Sequence, residues 1–140
     1  MIYGIENKKQ KKVLVLAPKT FNSYCAIYST ILSSNIWIPV SATLPAERLQ
    51  TIVDILKPDI RLYEGEVPNA LESIEAYSLN ELATSNESRE LDLIEFQSDE
   101  IAYIMFTSGS TGIPKGVPMT HLNYINFINN ALEIIPFEKG

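Results

Sequence analysis

Residues 13–40 read VLVLAPKTFNSYCAIYSTILSSNIWIPV. The opening VLVLA at 13–17 is a short, charge-free apolar run closed by Pro18, the pattern of a buried strand. The period then changes. Phe21, Tyr24, Cys25, Tyr28, Ile31 and Leu32 recur at helical spacing. Ser33-Ser34-Asn35 breaks that spacing, and IWIPV at 36–40 follows as a second candidate strand.

The same alternation continues outward. LPAERLQTIVDILKP at 44–58 predicts a helix with Pro45 in its first turn, Glu47 near the positive end of its dipole, and Leu49, Ile52, Val53 and Leu56 as its apolar face. Lys57 suits the C-terminal end and Pro58 stops the helix. IRLY at 60–63 reads as a third strand. Residues 64–98 are acidic and weakly periodic, with a short helix placed at Leu79–Ala83 and a loop at Ser85–Arg89. IAYIMF at 101–106 is uncharged and reads as a central parallel strand covered on both faces. A last helix is expected from His121 to Ile135, capped by Thr120, striped by Leu122, Ile125, Ile128, Leu132 and Ile135, and ended by Pro136. This order predicts an α/β fold: a layered, mostly parallel sheet flanked by helices. No internal repeat or low-complexity tract interrupts it.

Composition narrows the function classes. The chain has 140 residues, 46% hydrophobic and 20% charged, enough apolar material for a core. A net charge of −6 argues against a nucleic-acid partner, because phosphate neutralisation needs a basic surface. Lys8, Lys9, Lys11 and Lys12 form a basic run with no interleaved aromatic residue, read as a solvated segment before the first strand. Cys25 has no cysteine to pair with; within its apolar pattern it is expected to be buried as a small hydrophobe. No segment reads as a signal peptide or membrane span, so the expected compartment is the cytoplasm.

The chemistry concentrates in YIMFTSGSTGIPKGVPMTH at 103–121. Gly109, Gly112 and Gly116 are read as letting the backbone turn its N–H groups towards one point, an arrangement that binds anions, especially beside a helix N-terminus. Thr107, Ser108, Ser110 and Thr111 add hydroxyl donors, and Lys115 adds a mobile positive charge. Together they describe a polyphosphate clamp. It is not the P-loop of common NTPases: two residues, not four, separate Gly109 from Gly112, and Gly116 rather than Ser or Thr follows Lys115.

This stretch closely resembles the phosphate-binding signature of the adenylate-forming (AMP-binding) superfamily, which includes acyl-CoA synthetases, nonribosomal peptide synthetase adenylation domains and D-alanine–carrier-protein ligases. IWIPVSATLPAERLQTIV at 36–53 resembles a second landmark of that family, nearest to its amino-acid-activating branch. The resemblance implies a ligase that activates a carboxylic acid, in this branch an amino acid, with Mg2+ and ATP. An acyl-adenylate and pyrophosphate form, and a carrier-protein pantetheine thiol or CoA takes the acyl group. It implies that Thr107, Ser108, Gly109, Ser110, Thr111, Gly112, Lys115 and Gly116 lie over the β- and γ-phosphates, acting by positioning and charge.

The match has departures. Ser34-Asn35 stands where the family usually turns on glycine, with Asn read as tolerating the left-handed conformation. Ser41 replaces a frequent Asp. The family's later motifs, including its magnesium ligand, do not follow Gly140. The chain therefore reads as a partial AMP-binding domain over 1–140, without the C-terminal domain and catalytically incomplete. Its partners would include a complementing C-terminal polypeptide. It could be a truncated gene, half of a split enzyme or an excised piece. A non-catalytic relic or interaction module and an unrelated phosphate-binding α/β protein are the alternatives.

Other chemically suggestive residues have plainer readings. His121 is read as a first-turn helix residue rather than a general base, and Trp37 as core. Asp99 and Glu100, adjacent on a strand, would point to opposite faces and could not pair as acid and base. Glu47 and Arg48 read as helix-surface or intersubdomain contacts. Exposed strand faces in so short a piece predict poor solubility or obligatory pairing.

Overall fold

Lys12–Leu16 forms β1, and its alternation sets the two faces of the molecule. The structure is a computed structural model and describes residues 10–41, 43–85, 95–108 and 114–135. In chain order follow α1 (Phe21–Leu32), β2 (Ile36–Pro39), α2 (Ala46–Leu56) and β3 (Ile60–Tyr63). A 3₁₀ turn at Asn69–Leu71 leads to β4 (Glu75–Ser78) and α3 (Leu79–Thr84), then β5 (Ile101–Ser108), β6 (Pro114–Thr120) and α4 (His121–Ile134). The strands make one six-stranded sheet in the order β4-β3-β1-β2-β5-β6. Every neighbouring pair is parallel except β5 with β6.

Leu14 and Leu16 of β1 face one way, into a core with Ile36 and Ile38 of β2 and Leu49 and Ile52 of α2. Val13 and Val15 face the other way, against Ile60 and Leu62 of β3, Ala26 of α1 and Leu79 of α3. Parallel strands covered on both faces explain why 13–17 carries no polar alternation.

Local chemistry sets the helix ends. At α1, Thr20 and Ser23 exchange side-chain-to-backbone hydrogen bonds in a capping box. Pro45 takes the N-cap position of α2, one residue before its first turn, and Lys57 closes that helix in the left-handed conformation, φ 47°. At α4, Thr120 and Asn123 form a second capping box.

Several expectations change. The strands β4 and β6 were not foreseen, and both are sheet edges. The turn before β2 places Ser34, not Asn35, in the left-handed region, φ 56°. Asn35 instead accepts from Lys11 N through Oδ1 and donates through Nδ2 to Ser33 Oγ. Cys25 is exposed, because α1 turns Ser23, Ala26, Thr30 and Ile31 towards the sheet and its aromatic stripe away. The 101–106 strand extends to Ser108 and is penultimate, with Met105 exposed rather than covered. Asp99 and Glu100 lie in a turn before β5, not on a strand. The 86–89 part of the predicted loop, and Pro136, lie outside the described residues.

Candidate phosphate-binding hairpin

The donor-rich segment joins two antiparallel strands. Thr107 stands opposite Lys115, Ser108 opposite Pro114 and Phe106 opposite Gly116. Directly opposed residues share a face, so Thr107 and Lys115 sit side by side at the mouth of the hairpin, both exposed. Gly109, Ser110, Thr111 and Gly112 lie between them but outside the described residues.

Two details of the anion cradle are corrected. Gly116 does not turn the backbone; it lies within β6. A Cβ there would meet Ile104 Cγ2 at 3.1 Å and the Phe106 ring at 3.6 Å, so close packing is what calls for glycine. Nor does the hairpin mouth, at Ser108 and Pro114, lie beside the N-terminus of α4. The seven residues of β6 intervene, roughly 20 Å of strand at about 3.3 Å per residue. The α4 dipole, which falls off within a turn, acts at the opposite end of β5, where His121 N donates to Glu100 O at 3.0 Å. The α4 dipole therefore does not reach the hairpin mouth.

The hairpin mouth lies at the carboxyl ends of the parallel strands, the end at which open α/β sheets bind ligands. A groove of about 560 Å3 opens at that same end, lined by residues including Lys19, Tyr24, Trp37, Ser41, Thr43 and Glu64. Its floor is largely apolar; Glu64 accepts from Thr20 Oγ1 at 2.7 Å. Trp37 is half-buried, its ring 5.8 Å from that of Tyr103, and its indole N–H has no partner among the described residues.

A polar clip at the opposite end fastens β5 to the older part of the sheet. Gln10 Nε2 donates to Ser34 O and to Ile101 O, and Ile101 N donates back to Gln10 Oε1. Ser34 Oγ donates to Glu100 Oε2 at 2.6 Å, which also accepts from Gln97 N. Sequence reading missed this clip, since it joins residues up to 91 positions apart.

His121 borders the clip in a structural role. It is 2% exposed and stacks on Phe96 with ring centroids 4.0 Å apart, and its Nε2 has no partner among the described residues. Burial lowers its pKa from the usual value, against the pull of Glu100 in the other direction. The unfolded chain therefore binds the proton more readily. Stability is fully present above about pH 6.5 and is lost as pH falls through the lower folded value. His121→Phe keeps the stack and removes the titration. Urea midpoints measured from about pH 7.5 to about pH 5 should fall less steeply in this variant than in the parent.

The family profile described as AMP-binding enzyme matches residues 3–138. The chain belongs to this AMP-binding family. Over 132 residues it is 33% identical to the D-alanine–D-alanyl carrier protein ligase of Streptococcus pyogenes, covering 90% of this chain and 25% of the ligase. The AMP-binding chain thus spans a quarter of the length of the curated relatives it matches. Its fold superposes on O-succinylbenzoate coenzyme A synthetase (MenE) from Bacillus subtilis in complex with AMP, TM-score 0.82 and 16% identity over 97% of this chain and 36% of that one. It also superposes on McyG A-PCP complexed with phenylalanyl-adenylate, TM-score 0.78 and 24% identity over 97% of this chain and 24% of that one. The family resemblance at 103–121 and the predicted mostly parallel α/β sheet both stand. Among the described residues, no helix is long and apolar enough to cross a membrane.

Proposed function

We propose that this chain is the part of an AMP-forming acid–thiol ligase that grips the β- and γ-phosphates of ATP while a carboxylate attacks the α-phosphate. The observation that carries this is the register of the hairpin. Thr107 and Lys115 are opposed, exposed and on one face, and they bracket the glycine- and hydroxyl-rich segment at 109–113. That donor set fits a triphosphate: hydroxyls and N–H groups for the oxygens, and one flexible ammonium that follows charge into the leaving pyrophosphate. Lys115 and its neighbours orient and neutralise; they form no bond to the substrate.

The acid is an amino acid on this reading, supported by the D-alanine-activating relative. The products of the first step are an aminoacyl-adenylate and pyrophosphate. A pantetheine thiol of a carrier protein, or the thiol of CoA, then displaces AMP. Magnesium would enter with the nucleotide, as the family resemblance implies. The domain assignment follows: residues 1–140 are part of an N-terminal AMP-binding domain, and the chain alone binds phosphate without completing catalysis. The expected setting is cytoplasmic, where ATP and carrier proteins meet.

Calorimetric titration of ATP and of pyrophosphate tests this. Lys115→Ala should weaken binding by about tenfold or more, the effect of removing one charge-assisted contact. Equal affinities in parent and variant, or binding by neither, would refute the clamp.

A further inference from the structure

Strand β5 carries one residue more than its partner needs. Ile101 stands opposite Thr120 but Tyr103 stands opposite Met119, so Ala102 is the extra residue of a β-bulge. Side-chain packing agrees. Ile101, Ile104 and Phe106 all reach the core that Leu49 and Ile52 of α2 cover. Ile101 and Ile104 are an odd number of residues apart, and strict alternation would put them on opposite faces. The bulge decides which residues meet at the hairpin mouth. Beyond it Thr107 pairs with Lys115. Were the Ile101–Thr120 register carried on without the extra residue, Thr107 would stand opposite Pro114 and Phe106 opposite Lys115. Hydroxyl and ammonium would then leave opposite faces of the ribbon.

One side chain grips the residue beside the bulge. Ile101 N donates to Gln10 Oε1 at 3.2 Å, and Ile101 O accepts from Gln10 Nε2 at 3.2 Å. The amide stands in for a ladder residue. By the Trp37–Tyr103 register the residue in line on β2 is Asn35, whose N–H goes to Thr30 O instead. Gln10 reaches this place in the left-handed conformation, φ 66°, in which glutamine is uncommon. Its own N–H and its Nε2 both donate to Ser34 O. Turn formation alone does not account for a glutamine here, since glycine or asparagine would make that turn with less strain. We propose that Gln10 is the register pin of the hairpin: its amide holds the bulge at Ala102, and the bulge sets Thr107 beside Lys115 on one face. Gln10 is then a positioning residue for the phosphate clamp, acting through roughly 20 Å of strand at about 3.3 Å per residue. The part in binding rests on the phosphate reading; the part in register does not.

Cross-strand disulfides read the register in the full chain, in a Cys25→Ala background. Met105→Cys with Val117→Cys joins positions opposed in the observed register. Phe106→Cys with Lys115→Cys joins positions opposed only after the one-residue slip. In oxidised glutathione, Q10G should slow the first disulfide about fivefold or more and speed the second, as when one molecule in about five keeps the bulge. Q10N, too short to reach Ile101, should do the same. Unchanged rates in both variants overturn the proposal, because glycine and asparagine preserve the turn. Slowing of both disulfides also overturns it, since that describes a detached strand rather than a slipped one. In chains without the paired cysteines, Q10G should weaken pyrophosphate binding by the same factor, about fivefold, with the urea midpoint recording any general loss of stability. A slipped register with undiminished affinity overturns the positioning role. Binding by neither parent nor variant refutes the clamp and the positioning role with it, while the disulfide rates still decide the register.

Discussion

Leu14→Ala should lower the unfolding free energy by about 2–5 kcal/mol, read as a shift in urea midpoint. Leu14 is 0% exposed and lies in the interior strand β1, beside Ile38 of β2 on its own sheet face and in one core with Leu49 of α2 and Ile104 of β5. Deleting its terminal carbons leaves a cavity that strands hydrogen-bonded on both sides cannot close. The matching change on α4, Leu132→Ala, should cost no more than about 0.5 kcal/mol, because that side chain is 54% exposed. The pair of measurements separates the layer that is core in this chain from the layer that is bare. Similar losses at both positions would contradict the burial pattern.

Ser34→Val is expected to be the next largest loss, about 3 kcal/mol. Two effects add. The φ of 56° is one a β-branched residue adopts only at a cost. The 2.6 Å bond from Ser34 Oγ to Glu100 Oε2 is also lost, at a position that is 0% exposed. Ser34→Gly separates them, since glycine keeps the conformation and loses only the bond; it should be clearly the milder variant. Because Glu100 immediately precedes β5, the valine variant should also loosen the hairpin. Faster hydrogen exchange at Ile101 and Ala102 than at Leu14 and Val15 would show this. Equal losses in both variants would mean that backbone strain contributes nothing.

The parts of the fold that were legible share one property: their periodicity was undiluted. The runs at 13–17, 36–40 and 60–63 are interior strands, and their apolar content announces burial on two faces. The bounds of α1 were read correctly as Phe21–Leu32, because Thr20 supplies a cap and Ser33-Ser34 a stop. The two strands that escaped notice are the sheet's edges. PKGVPMT contains two prolines and a glycine, tolerable only where one flank needs no ladder, and EAYS is too polar and short to show a period. Without β6 in view, the seven-residue strand that separates the glycine-rich segment from α4 also goes unseen.

Read as a line of residues, the chain settles its family and its α/β alternation. Those rest on a long motif and on changes of period, both local properties. Three-dimensional packing settles which way each helix faces. A stripe at helical spacing says that α1 has an apolar side without saying whether that side meets this sheet or another layer. Phe21, Tyr24, Tyr28 and Leu32 meet neither this sheet nor any other described element closely enough to be buried, while Ala26, Thr30 and Ile31 do the packing. The same holds for Thr107 and Lys115. Their chemistry is written in the motif, but their meeting across a ladder is a matter of register, set by pairing partners that no local pattern names.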